Sequence, residues 1–138
     1  MEYFPENRGQ YLYLRLTGPF DTRGLTFGFP LVLNGLKENK IEKLLVDARD
    51  VFGFCPIEER LFVNESLADL YLNFAKDGLK LKIAVAMNKT MFHPERIGEK
   101  IAKNRGLALK ATEDIEEAYA WLEVTPPKTL TQQAEIIE

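Results

Sequence analysis

The most constraining feature of this sequence is a short apolar run that ends in charge and leads through a turn into a long helical pattern. Residues 44–46 (Leu-Leu-Val) form the run, and a Gly-to-Pro turn at 53–56 follows. Charged side chains come directly after the run: Asp47, Arg49 and Asp50. Open α/β sheets build binding sites where a buried strand ends and a helix begins. The sequence therefore predicts an α/β fold with a candidate site after this strand.

Strand and helix patterns alternate along the whole chain. Strands are predicted at 3–4, 10–17, 43–49, 79–87 and 107–111, and helices at 30–38, 57–76, 93–105 and 114–122. Only a loose turn is expected at 23–29, because Pro30 is poorly tolerated inside a helix. Such alternation predicts a mixed, mainly parallel sheet of four to five strands with about four helices. The first two strands can pair as an antiparallel hairpin.

Length and composition predict one domain in a reducing compartment. Of the 138 residues, 1–124 are expected to form the domain, and the polar tail 125–138 is expected to be flexible or to dock on a neighbouring subunit. A single cysteine, Cys55, excludes an intramolecular disulfide, so we expect a cytoplasmic protein. The apolar arc of the helix at 57–76 is broader than one sheet face requires, so either this helix is unusually well buried or part of it meets another subunit. We expect a homodimer.

Several function classes are disfavoured by composition. A net charge of −3 and the lack of any Lys/Arg cluster with interleaved aromatics argue against nucleic-acid binding. The sequence contains no apolar run near the roughly 20 residues that a membrane span needs. It also lacks a phosphate-binding or dinucleotide-binding glycine motif and any clustered metal-ligand motif, so no cofactor or metal is expected.

The candidate site residues lie on two predicted loops that follow neighbouring strands. The charges after the central strand either bind a polar ligand or pair with one another, and the aromatics either line a pocket or docking surface or fold back onto the core. Cys55 and His93 form a catalytic pair only if the two loops meet; otherwise Cys55 is a small apolar core residue. The predicted ligand-binding or partner-binding residues are Asp47, Arg49, Asp50, Phe52, Phe54, Cys55, Arg60, Asn88, Phe92, His93 and Arg96.

Three segments together resemble a known family. These are Leu-Leu-Val-Asp-Ala-Arg at 44–49, Lys-Ile-Ala-Val-Ala at 82–86 and Glu-Glu-Ala-Tyr-Ala-Trp-Leu at 116–122. Over residues 10–122 the chain resembles the SpoIIAA-like family, bacterial relatives of the STAS domain. The resemblance implies a single STAS-like domain that is non-catalytic and binds through the loop after the central strand and the start of the next helix. Domains of this kind bind partner proteins, and some bind nucleotides or lipids.

The resemblance fails at one functional motif. Anti-sigma-factor antagonists of this family carry a phosphorylated serine in that loop. Here the matching residues 52–56 read Phe-Gly-Phe-Cys-Pro, and the only serine, Ser66, lies within the predicted long helix. The phosphoserine switch is therefore not expected in this chain.

Three functions remain open from the sequence. The first is a non-catalytic STAS-like binding or regulatory module that acts through loops 52–60 and 88–96. The second is a carrier of a small apolar or amphipathic ligand, with the same loops at the mouth of a pocket. The third is a cysteine-dependent enzyme that uses Cys55 and His93.

Overall fold

The computed structural model of the protein describes residues 1–53, 56–76, 78, 80–91, 100, 103–104, 106 and 108–127. The elements are β1 (Glu2–Asn7), β2 (Leu12–Pro19), α1 (Thr22–Glu38), β3 (Lys43–Phe52), α2 (Ile57–Lys76), β4 (Lys82–Met87), a 3₁₀ turn (Lys89–Met91), β5 (Ala108–Thr112) and α3 (Ile115–Leu122). The predicted helix at 93–105 lies mostly outside the described residues. None of the helices described is long and apolar enough to cross a membrane.

The five strands form one sheet in the order β1-β2-β3-β4-β5. β1 pairs with β2 antiparallel, and the other three pairings are parallel. This arrangement confirms the predicted mixed, mainly parallel sheet and the N-terminal hairpin. It places the carboxyl ends of β2, β3 and β4 at one edge of the sheet, where the predicted site lies.

One face of the sheet, here called the covered face, packs against α1, and α2 lies beside α1. Its centre consists of leucines with no exposed surface, including Leu14 on β2, Leu36 on α1 and Leu44 on β3. The alternation along β2 explains this face, because every second residue of a strand points to the same side. The covered face therefore contains the main apolar core.

Within the described part of the chain, α3 is the helix that packs on the opposite face, here called the open face. α3 has eight residues and contacts β3, β4 and β5, where Leu45, Ala84 and Leu122 pack together. A helix of this length is about 12 Å long, which is too short to cover five strands. Lys82 fixes its end, since the Lys82 ammonium lies 4.7 Å from the Trp121 ring centre and donates to the Trp121 carbonyl at 3.3 Å. Away from α3, the described side chains that β1 and β2 place on this face are polar or aromatic, among them Phe4, Tyr13 and Arg15.

The prediction that residues 23–29 form only a loose turn is wrong. α1 is continuous from Thr22 to Glu38 with Pro30 inside it, and the Asp21 carboxylate caps its first turn by accepting from the Arg23 N–H at 3.0 Å. Proline inside a helix costs about 3 kcal/mol. Burial of large apolar side chains contributes about 1.5–3 kcal/mol each, and Phe29 and Leu33 are both buried on the covered face. The free energy gained from packing and capping therefore exceeds the cost of placing Pro30 inside the helix.

The central strand is also longer than predicted. β3 continues past residue 49 to Phe52, because β2 continues beside it through Gly18 and Pro19, which pair with Val51 and Phe52. Gly53 then ends the strand with a φ of +106°. These extra residues carry part of the candidate site beyond the end of β4.

Candidate functional site

The polar end of β3 is shaped by a β-bulge. Arg15 of β2 is opposite Asp47, but Thr17 is opposite Asp50, so β3 has one more residue than β2 in this interval. A bulge changes which way the following side chains point. As a result Ala48 and Val51 both enter the covered-face core, while the two residues between them are exposed. The bulge thus delivers two charged side chains in succession to the surface.

Asp47 is the buried centre of the site, with 4% of its surface exposed. The Arg49 guanidinium donates to both of its carboxylate oxygens, from Nε at 2.8 Å and from Nη2 at 2.9 Å. The Tyr13 hydroxyl donates to Asp47 Oδ2 at 2.5 Å. Burial acts to raise the pKa of Asp47, but the hydrogen bonds from Arg49 and Tyr13 outweigh it and hold this pKa below its ordinary value. Asp47 is therefore a charged and fully engaged group.

Arg8 extends this cluster from the β1–β2 turn to α3. Its guanidinium lies 3.8 Å from the Tyr13 ring centre and donates from Nη1 to the hydroxyls of Tyr11 at 3.0 Å and Tyr119 at 3.1 Å. Burial is the main cause that raises the pKa of Tyr13, and the hydrogen bond to Asp47 adds to it. Burial is also the main cause that raises the pKa of Tyr119, so Tyr13 and Tyr119 act as neutral hydroxyls at physiological pH. We call Arg8, Tyr11, Tyr13, Asp47, Arg49 and Tyr119 the open-face network.

Asp50 pairs with Arg15 rather than with the open-face network. Arg15 Nη2 lies 2.9 Å from Asp50 Oδ2, and the Arg15 guanidinium carbon lies 6.0 Å from the Phe4 ring centre. Both charged side chains are about half exposed. This pair is a surface contact, and both of its side chains stay accessible to solvent.

Asn88 continues the sheet where β4 ends. The last β3–β4 pair is Ala48 with Met87, and beyond it Asn88 Nδ2 donates to the Arg49 carbonyl at 2.6 Å and to the Val51 carbonyl at 3.4 Å. The Asn88 amide therefore holds the extension of β3 in place. Its predicted binding role stays a prediction, but the amide is engaged by the backbone.

Phe52 is exposed on this rigid extension. Its carbonyl accepts from the Phe20 N–H at 2.7 Å, while 60% of its surface is open to solvent. Two further exposed apolar side chains, Leu61 and Phe62, lie in the first turns of α2, near the start of which Glu59 accepts from the Thr22 hydroxyl at 3.0 Å. Apolar surface is thus present at the end of the molecule where β3 ends and α2 begins.

The structure brings part of the predicted site together. Asp47, Arg49, Asp50, Phe52 and Asn88 all lie at the carboxyl end of β3 or beside it. Arg60 lies in α2, but its side chain is outside the described part of the chain. Five predicted residues lie wholly outside the described residues: Phe54, Cys55, Phe92, His93 and Arg96. The pairing of Cys55 with His93 and a pocket or docking surface lined by the loop aromatics stay predictions.

Sequence reasoning missed four residues of the open-face network: Arg8, Tyr11, Tyr13 and Tyr119. The available signal was the alternation in β2, where Tyr11, Tyr13 and Arg15 share the side opposite the leucines. Within the described ranges no group of three histidine, cysteine or acidic residues is placed to hold a metal ion. The described cluster therefore offers charged, hydrogen-bonded side chains around a buried carboxylate, together with an exposed aromatic ring.

Comparison with solved structures identifies the fold. A crystal structure of an anti-sigma factor antagonist from Mycobacterium paratuberculosis is similar, with a TM-score of 0.57 and 11% sequence identity, over 88% of this chain and 93% of that chain. The structure of the anti-sigma factor antagonist SpoIIAA in its unphosphorylated form matches with a TM-score of 0.46 and 10% identity, over 91% of this chain and 100% of that chain. No protein-family model and no curated protein matches the sequence. The first of these likenesses confirms, at the level of the fold, the resemblance to SpoIIAA-like proteins.

Proposed function

We propose that this chain, which has the fold of an anti-sigma factor antagonist, is a non-catalytic regulatory module that binds another protein through the carboxyl end of β3. The observation that carries the proposal is Phe52. Phe52 is 60% exposed, although its own carbonyl and the carbonyl of Val51 both accept hydrogen bonds. Aromatic side chains, Phe included, are enriched at the centres of protein interfaces, where a few residues carry most of the binding energy.

The hydrogen bonds that hold residues 51–52 at the end of β3 support a binding role for the exposed Phe52 side chain. Asn88 holds the Val51 carbonyl and Phe20 holds the Phe52 carbonyl, so the segment is already ordered before a partner arrives. Association costs free energy for every group that must be immobilised. An anchor that is held in advance avoids part of this cost.

The charged groups beside Phe52 support a role in orientation. Arg49 covers the buried Asp47 carboxylate while nearly half of its own side chain stays exposed. Because the pKa of Asp47 is held low by Arg49 and Tyr13, this carboxylate stays charged and is poorly suited to exchange protons at neutral pH. Arg49 can then offer its remaining N–H groups to an acidic or carbonyl group of a partner.

The structural likeness supports a protein as the partner class. The similar solved structure from Mycobacterium paratuberculosis is that of an anti-sigma factor antagonist. The segment 52–56 of this chain contains no serine, so control by phosphorylation at this loop is not part of the proposal.

Quantitative affinity capture from the native host tests this function. Tagged full-length protein is compared with Phe52→Ala and with Phe4→Ala, a matched control because Phe4 is also an exposed ring on the same sheet. We expect a specific protein to be enriched by the wild type and by Phe4→Ala. Its dissociation constant, measured with the purified protein, should rise about 30-fold or more for Phe52→Ala, as for other hot-spot residues. Equal binding by all three proteins would contradict the proposal.

A carrier of a small apolar ligand is the second candidate. A groove of about 340 Å³ lies between α1 and the β1–β2 hairpin, which is at the lower end of the volumes of ligand pockets. It lies on the covered face at the β1 side, away from the predicted pocket mouth at the carboxyl end of β3. Native mass spectrometry of protein purified from its host tests this candidate, since a carrier would show a reproducible added mass.

A further inference from the structure

The solvent side of α1 is unusual for a surface helix because it carries no charge over most of its length. No residue between Arg23 and Lys37 is charged, and Phe27 and Leu31 are 74% and 72% exposed. A helix on a protein surface normally presents charged and polar residues to water. Charge depletion around exposed aromatic and aliphatic side chains is instead typical of the centre of a protein interface.

A groove lies next to these exposed side chains. The groove of about 340 Å³ described above runs along α1, and its α1 lining includes Gly28, Leu31, Val32 and Gly35. At Gly35 no heavy atom outside the local helix lies within 4 Å of the position that a Cβ would occupy. Protruding side chains and an empty space thus adjoin on one surface.

We propose that this surface binds a second copy of the chain, with the two α1 helices packed antiparallel around a two-fold axis near Leu31. In this arrangement Leu31 meets Leu31 of the second copy. Phe27 lies four residues before the axis and Gly35 four residues after it. Each Phe27 ring therefore faces the space at Gly35 of the second copy.

The charges at the ends of α1 fit the same arrangement. Arg23 lies eight residues before Leu31, and Glu38 lies seven residues after it. Both side chains are exposed. The antiparallel packing therefore brings Arg23 of each copy near Glu38 of the other, giving two ion pairs related by the axis.

A second copy fits this surface better than a small ligand does. A ligand that filled only the groove would leave Phe27 and the outer side of Leu31 in water. A two-fold interface requires a surface that is complementary to itself, and here the protruding residues, the groove and the end charges all lie on one helix. The two copies can thus bury the exposed apolar residues and the groove together.

Sedimentation velocity of the full chain over a concentration series tests the dimer. We expect a species of twice the 15.8 kDa chain mass at micromolar concentration. Leu31→Glu should raise the dimer dissociation constant about 30-fold or more, because it places two like charges at the axis. The matched control is Phe62→Glu, which changes an exposed apolar residue of α2 and should leave the dimer intact. A wild type that is monomeric at high micromolar concentration overturns the proposal, as does a dimer that survives Leu31→Glu or one that Phe62→Glu disrupts.

A charge-swap cycle tests the antiparallel arrangement itself. Arg23→Glu and Glu38→Arg should each weaken the dimer, and the double variant should restore at least part of the lost affinity because the opposite charges again face each other. Circular dichroism of each variant confirms that it is folded, and both positions are exposed in the monomer. Single variants that dimerise as the wild type does, or a double variant weaker than both, overturn the antiparallel geometry. Monomers with a bound small molecule in native mass spectrometry would assign the groove to a ligand instead.

Discussion

The side chains on the two faces of the sheet are buried in different ways, although the same strands form both faces. On the covered face β3 contributes Leu44 and Val46 to an apolar core beneath α1. On the open face the alternate residues are Leu45, which packs against α3, and Asp47, which is buried but accepts hydrogen bonds from Arg49 and Tyr13. Around Asp47 the described contacts are hydrogen bonds and ring contacts rather than apolar packing. The comparison teaches that two alternate residues on the same side of one strand can be buried by different chemistry.

The largest expected effect is on the covered face. Leu44→Ala removes a side chain with no exposed surface from the middle of the apolar core. Lost burial and the remaining cavity should lower the free energy of unfolding by about 2–5 kcal/mol. Urea titration followed by circular dichroism measures this change. A cost below that of the open-face variants would reverse the ranking of the two faces.

The open-face network should show a smaller effect of a different kind. Asp47→Asn preserves the size of the side chain but removes the negative charge that accepts hydrogen bonds from Arg49 and Tyr13. We expect a loss of about 1–3 kcal/mol in the free energy of unfolding, since the partners keep weaker bonds and Arg49 can reach water. Urea titration at neutral pH measures this loss. Arg49→Gln is measured alone and combined with Asp47→Asn, and a combined loss smaller than the sum of the two single losses shows that the two side chains interact.

The pH dependence of this variant sharpens the comparison. Since the folded-state pKa of Asp47 is below its ordinary value of 3.8, its ionisation stabilises the fold above that value, and this contribution is lost as the pH falls through the lower folded-state pKa. The gap in unfolding free energy between wild type and Asp47→Asn should therefore narrow when urea titrations are repeated under increasingly acidic conditions. Leu44→Ala is the control, because its gap depends on apolar burial. A gap for Asp47→Asn that does not narrow in acid would contradict a stabilising carboxylate.

The covered face was more predictable from the sequence than the open face. The limits of α2, Ile57–Lys76, were predicted because apolar periodicity and flanking Gly and Pro signals agree there. The strands followed from alternation in the same way. The helical turns before Pro30 were missed because a local rule about proline does not include the burial of Phe29 and Leu33 on a sheet that forms from distant residues.

The site was predictable only where its partners are close in sequence. Asp47 and Arg49 are two residues apart, and their pairing was one of the two interpretations offered for these charges. Arg8 and Tyr119 are 111 residues apart, so nothing in local spacing could associate them. The bulge in β3 is likewise a property of its pairing with β2, and it decides that Asp50 reaches Arg15.

Two glycines of α1 should respond in opposite directions. A Cβ at Gly28 would lie 2.7 Å from Cζ of Tyr3, whose hydroxyl donates to the Gly24 carbonyl at 2.6 Å, whereas the Cβ position at Gly35 is open. Gly28→Ala should therefore lower the free energy of unfolding by about 1 kcal/mol, the clash exceeding the gain in helix propensity. Gly35→Ala should raise it by about 0.5–1 kcal/mol. Urea titration of both variants in a chain that also carries Leu31→Glu removes any contribution from self-association. If both variants changed the free energy of unfolding in the same direction, the close contact between α1 and β1 would be contradicted.

The smallest effect is expected at Phe4, on the part of the open face that α3 does not reach. About half of this ring is exposed, and its described neighbour is the Arg15 guanidinium at 6.0 Å, itself in contact with water. Phe4→Ala should lower the free energy of unfolding by about 1 kcal/mol or less. The substitution removes little buried apolar surface, and it leaves no buried polar group unpaired. The measurement is a urea titration beside Leu44→Ala. If Phe4→Ala costs as much as Leu44→Ala, then Phe4 is buried in solution, which would contradict the ranking of the two faces.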